Sequence, residues 1–359
     1  MFGRRERTLP DLCTDLADAV IRLDERASTK SLRAVVTRAQ QSTPDELSEG
    51  LVRLSPALEQ VALGNGGRLA SLTAALIEIG ADPLPVLDVL VDRVAGGLEL
   101  AAQFGLIAGE LGDGLAAPTN AAEYRDLRDR VVRAAPSAGL SVEEAGEITQ
   151  AWFTVNDWIP SLLLPLQQKR ARLALPHRDR LATATAAIGD RIGDAPWLHG
   201  LLLVLDDEPL LVLHRGTGRA YDLKISGIGD NCQLHTLLAA TLIGEGRIPG
   251  TPPRPEWVAA ATTGEMLPDG GIEGQFNLVD AAGAWIWNEG RPSDIPLLGD
   301  HRVVVLDPPP YARGWNAGRA YPLMPPSMTV TRTLLDAEAA DWQRRVAPPA
   351  HFGGGSTPA

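Results

Sequence analysis

The feature that most constrains this 359-residue chain is a change of apolar rhythm near Gly193-Asp194-Ala195-Pro196. Ahead of it, apolar residues recur every three or four positions, as in Leu69, Leu72, Ala75, Leu76 and Ile79. That spacing puts one buried stripe on each of a series of helices. Beyond it they fall into short runs of strand length, and six of the eight Trp and eighteen of the 28 Pro are found there. The chain is also too long for one ordinary core. The expectation is an α+β protein. An all-helical bundle of eight or nine helices fills 1–192, a smaller antiparallel-rich α+β domain with one central helix fills 197–346, and 347–359 is a flexible tail.

Caps carry the helical half. Thr43-Pro44-Asp45-Glu46 offers a hydroxyl to the first free N–H groups, a proline where a missing N–H costs nothing, and a glutamate that reaches back. Ser141-Val142-Glu143-Glu144 repeats the box, and Asp82-Pro83 and Thr119-Asn120 are plainer starts. Helix pairs of roughly 35–45 residues raise the question of a solenoid. No true period is present, so an irregular bundle is expected.

In the second half, residues 201–205 and 210–214 read as a hairpin across Asp206-Asp207-Glu208-Pro209, and 221–225 as a third strand. A helix runs from about Cys232 to Ile243. Residues 276–279 and 285–287 make a second hairpin, 303–306 a fully apolar strand and 329–333 a last edge strand. The segment 308–327 carries six Pro with Tyr311, Trp315 and Tyr321, which suits an ordered loop pinned by aromatics or a polyproline II ligand.

Charge and motif content exclude several functions. The net charge of −12 is shared about evenly by the halves, and an acidic body repels a phosphate backbone, so no nucleic-acid partner is expected. Cys13 and Cys232 make no disulfide framework, and Pro10-Asp11 follows the charged start where a leader needs an apolar run. No eighteen apolar residues run together, so no membrane span is expected and the location expected is cytoplasmic. Gly227-Ile228-Gly229 lacks the third glycine of a dinucleotide loop, and no Gly-Lys-Ser/Thr, Gly-x-Ser-x-Gly or His-Glu-x-x-His occurs, so no cofactor is assigned.

Chemistry is most plausible at Gly227-Ile228-Gly229-Asp230-Asn231-Cys232-Gln233-Leu234-His235. Asp230 or Asn231 caps a helix and leaves Cys232 in its first turn, where free N–H groups stabilise a thiolate. With His301 as base and Asp307 as orienting group, Cys232 would be the nucleophile of a thiol-dependent hydrolase or transferase. The plainer reading makes Cys232 a small buried hydrophobe and His235 a polar helix residue. His199 and His214, brought together by the first hairpin with Asp222 nearby, could begin a metal site, but no spaced ligand set accompanies them. Gln167 to Arg172, with Arg178 and Arg180, could hold an anion or form a solvated face, and Trp152, Phe153 and Trp158 suit core packing or a ligand platform. The expectation is a non-enzymatic cytoplasmic binding or accessory protein. It would hold a protein partner or small molecule at Asp230, Asn231 and His235 with Trp285, Trp287 and Arg291; the thiol enzyme is the alternative.

Overall fold

In a computed structural model of the chain, residues 7–112, 115–134, 136 and 139–350 are described. The fold is α+β, in two units, Met1–Leu202 and Leu203–Ala359.

The first unit holds α1 (Leu9–Ile21), α2 (Glu25–Ala39), α3 (Pro44–Gln60), α4 (Leu63–Glu78), α5 (Leu87–Leu111), α6 (Ala121–Ala134), α7 (Val142–Thr154), α8 (Pro160–Leu163), α9 (Lys169–Leu173), α10 (Arg178–Ile188) and α11 (Ala195–Leu202). The Thr43/Glu46 and Ser141/Glu144 boxes close in both directions, and Thr8/Asp11 forms a third at the start of α1. Asn120 Oδ1 accepts the N–H groups of Ala122 and Glu123, both at 3.0 Å. The long α5 is the hub, packed by α3, α6, α7 and α10.

The aromatic run of this unit is core. Trp152 stacks on Phe104 with ring centroids 5.1 Å apart. Trp158 is fully buried and donates its indole N–H to the Leu63 carbonyl at 2.9 Å. Gly64, Gly66 and Gly67 lie in the opening turns of α4. A Cβ at Gly66 would lie 2.1 Å from Trp158 Cζ2, so only glycine lets the indole lie on the helix. The basic cluster is spent on structure: Arg172 is buried and donates to the Leu166 carbonyl, Arg170 pairs with Asp82, and Arg180 pairs with Asp92 and Glu99.

The expected hairpin of 201–205 with 210–214 does not exist. Residues 195–202 are helical, begun by Pro196 in the first turn. Asn156 holds the segment before α11 by accepting the Asp194 N–H at 2.9 Å and donating to its carboxylate at 3.2 Å. The break between units therefore falls after α11.

The second unit comprises β1 (Glu208–His214), β2 (Arg219–Ser226), α12 (Asn231–Leu238), α13 (Pro255–Ala261), β3 (Leu267–Glu273), β4 (Asn277–Val279), β5 (Leu297–Leu298), β6 (His301–Asp307), β7 (Gly314–Ala317), β8 (Ser327–Thr333) and α14 (Asp336–Arg345). Its main sheet runs β4-β6-β1-β2-β8, with β5 sharing the outer edge of β6. β1 pairs antiparallel with β2 and parallel with β6, the one parallel pair described. Being central, β1 and β6 are buried on both faces, which explains their unbroken apolar runs.

The two faces follow the strand period of two. Val304 and Leu306 point to the side covered by α12, with Leu234, Leu237 and Leu238. Val303 and Val305 point to the side covered by α14, with Trp342. Helix α12 continues through one π-helical turn, Ala239–Ile243. Outside the main sheet, β3 and β7 form a two-stranded sheet on which α13 packs. Part of the expected tail is tied down, since Ala347 N–H donates to the Ala281 carbonyl and Ala350 N–H to Gly283; residues 351–359 lie outside those described. Among the described residues no helix is long and apolar enough to cross a membrane.

Candidate functional site

The link from β2 to α12 needs two glycines. Gly227 has φ +65°, and a Cβ there would meet the Pro325 carbonyl oxygen at 2.7 Å. Gly229 leaves room for Tyr321, whose ring would be 3.1 Å from its Cβ. Asp230 then caps α12, accepting the Gln233 N–H at 2.7 Å.

The first turn of α12 is stitched to the 287–290 loop. Asn231 N–H donates to the Gly290 carbonyl and Cys232 N–H to Asn288, both at 2.9 Å, while Asn231 Nδ2 donates to Trp287 at 2.8 Å. The segments at 227–235 and 287–291 are thus neighbours, as the sequence led us to expect. Arg291 belongs here, close enough to Tyr321 to act on its hydroxyl. Trp287 is 69% exposed. Trp285 belongs elsewhere: it packs on the α14 side of the sheet, 6.2 Å from Tyr311.

One turn further along α12, His235 Nε2 accepts the N–H groups of Gln275 at 2.9 Å and Phe276 at 3.3 Å. The proton must then sit on Nδ1. The ring stacks on Phe276 and tilts 4.8 Å from Trp315. Burial, with Arg313 adding to it, holds this imidazole down at about 3, so it is neutral and its one basic nitrogen is occupied.

Cys232 is half-buried between these turns. Burial pushes its thiol up to about 12, and the carboxylates of Asp230 and Glu289 push the same way against Arg313. Asp230 is itself shifted upward by burial, opposed by the backbone N–H groups it accepts. The free N–H groups that would favour a thiolate are spent on the loop carbonyls.

The supposed base and orienting group are not at hand. His301 packs against Trp342, ring centroids 4.9 Å apart, and Asp307 holds Arg215 at 2.6 Å. Both share the parity of Val303 and Val305 on a strand without a bulge, so they lie on the face away from α12. The structure does not assemble Cys232, His301 and Asp307. Nor does it assemble the metal constellation. His199 lies in α11 and contacts Thr185, His214 contacts Thr217, and Asp222 pairs with Arg332. Among the described residues no three His, Cys, Asp or Glu are placed to hold a metal.

What surrounds Cys232 instead is a set of buried polar atoms without a hydrogen-bond partner: Asn231 Oδ1, Asn288 Oδ1, His235 Nδ1, Arg313 Nε and Trp315 Nε1. Such atoms are rare in folded proteins and expensive. Arg313 and Trp315 were not foreseen, because only the pairing of β3 with β7 brings the proline-rich segment to α12. Arg313 is fixed there by Nη2 donating to the Phe276 carbonyl at 3.0 Å.

The helical unit holds a cleft of about 860 Å³ between α1, α2 and α4, lined among others by Leu16, Leu32, Leu69, Ser28, Arg68 and Asp157. Comparison with models of protein families, with curated proteins and with solved structures finds no match.

Proposed function

We propose that this chain is a non-enzymatic cytoplasmic binding or accessory protein whose α+β unit holds a small ligand or partner where the 227–235 and 287–291 segments meet. One observation carries the reading. The only thiol near the start of α12 sits beside two carboxylates and an imidazole already used as an acceptor, while five buried polar atoms around it await partners. A reacting site needs a low thiol pKa and a free base; a binding site needs unspent donors and acceptors. The acidic charge argues against nucleic acid as the partner.

The test is the rate of iodoacetamide labelling at Cys232 against pH, with the unfolded chain as reference and Cys13, fully buried, as internal comparison. The folded Cys232 is expected to label far more slowly than the unfolded thiol up to pH 9 or so, about where an ordinary thiol is ionised. The same sample should turn over no activated acyl ester. Rapid labelling below pH 7, or ester turnover abolished by Cys232→Ala, would replace this reading by the thiol-dependent enzyme.

A further inference from the structure

The short link from α1 to α2 holds a leucine where a helix end ordinarily has glycine. Leu23 N–H donates to the Val20 carbonyl and Asp24 N–H to Ala19, both at 3.0 Å, the paired closure that ends many helices. The residue in this place takes a positive φ, here +57°, which strains a side chain and suits glycine. Leu23 is also 73% exposed. Backbone strain and bare apolar surface therefore fall on one side chain, and that side chain lines the cleft of about 860 Å³ in the helical unit.

The cleft has the size of a small-molecule site. Its apolar lining, Leu16, Val20, Leu23, Leu32, Val61 and Leu69, is aliphatic throughout, and among the described residues no aromatic ring lines it to stack a flat ligand. Its charged lining is Glu25, Asp157 and Arg68, whose side chains have no hydrogen-bond or ion-pair partner among the described residues. Two carboxylates thus face one guanidinium. Helix α2 keeps that balance negative: Glu25, Ser28, Thr29 and Leu32 line the cleft, whereas Arg26, Lys30, Arg33 and Arg38 of the same helix do not. The chain carries −12 in all, so an anion is repelled at a distance as well as at the wall. Ser28, Thr29 and Asn65 add side-chain oxygens that accept from an ammonium.

We infer that this cleft binds a straight-chain aliphatic amine, its chain against Leu23, Leu32 and the other aliphatic walls and its ammonium toward Glu25 and Asp157. Leu23 is the residue such a chain covers. The site lies in the helical unit and stands or falls apart from the reading of the α12 segment above.

The experiment titrates the full-length protein with butylamine, hexylamine and octylamine, and with octanol and octanoate, following heat and the methyl signals of Leu23, Leu32 and Leu69. Each added methylene is expected to tighten binding by about three- to fourfold. Octylamine should saturate one site about tenfold more tightly than octanoate at low salt, with octanol between them, and the gap should narrow as salt is added. Glu25→Gln and Asp157→Asn should each weaken octylamine by about threefold, and Arg68→Gln should tighten it by a similar factor. Leu23→Gly separates binding from folding. The denaturant midpoint of the ligand-free protein should not fall, because glycine relieves the turn, while octylamine should weaken by about threefold or more. Octanoate binding as tightly as octylamine overturns the inference. So does an unchanged octylamine affinity in Leu23→Gly, a set of methyl shifts that misses these residues, or no saturation by any of the probes.

Discussion

The helix starts of the first unit and the strand neighbours of the α+β unit depend on contacts of different reach. In the first, α1, α3 and α7 begin at caps of their own, Thr8, Thr43 and Ser141, and each cap accepts from a backbone N–H three residues away. In the second, neighbours are remote in sequence: Arg215 meets Asp307 across 92 residues, and Asp222 meets Arg332 across 110. A helix held at its own cap can lose that start while the other starts stay in place. A sheet whose central strands are buried on both faces has no such independence, because β6 supports β1, β4 and β5 together.

The sharpest test of that contrast is Leu306→Ala. This side chain is fully buried between β6 and α12, and the loss should be about 3–5 kcal/mol. Hydrogen exchange should quicken throughout β1, β4 and α12 together; quickening confined to β6 would break the comparison.

Gly66→Ala is the counterpart in the helical unit. The new methyl would collide with the Trp158 ring, at a cost of about 1–3 kcal/mol. The change should register in the fluorescence of Trp158 and in protection of α4, leaving β1 to β8 as they were.

His235 adds a pH dependence that only the α+β unit should show. Its folded pKa, about 3, lies below the ordinary 6.5, so the unfolded chain takes the proton first as pH falls. Its contribution is complete above about pH 6.5 and drains away toward pH 3, on the order of 2–3 kcal/mol by pH 4. Denaturant midpoints at successive pH values should fall over that window, and the fall should be shallower in His235→Gln.

The smallest effects belong to the caps. Thr43→Ala and Ser141→Ala should each cost about 1 kcal/mol, and the double variant about the sum. A double variant costing far more than the sum would show the helical unit to be as cooperative as the sheet.

The same difference in reach decided what could be read from the sequence. The capped starts at Thr43 and Ser141 are written in four residues and were legible. The run at 201–205 is ambiguous, because five apolar residues in a row suit a strand or a buried helix end equally; Asp194 and Pro196 at the start of α11 are the local signal for the helix. Helix α14 also carried a signal that went unused, acidic residues in its first turn and Arg344 and Arg345 in its last. At the candidate site, the meeting of Asn231 with the Trp287 loop was within reach of the sequence, since both flank apolar runs of one small domain. Arg313 and Trp315 were not, because nothing local marks a proline-rich stretch as the partner strand of β3. His301 was a plausible base until the parity of β6 turned it to the far face.

The parallel pairing of β1 with β6 also bears on how the molecule is made. A ribosome adding roughly 5–20 residues per second takes several seconds to deliver β6 after β1 has emerged. Until then both backbone edges of the β1–β2 hairpin are bare, since β8 follows later still, and it has apolar side chains on both surfaces. The α-helical portion, complete by Leu202, can already have folded. The nascent chain therefore passes through a stage in which a finished domain tows a sticky ribbon, and strands from neighbouring polysomes can pair with either edge. Yield in a foreign host should depend on translation speed and on chaperones through this interval, and the damage should concentrate in molecules stalled between residues 214 and 301.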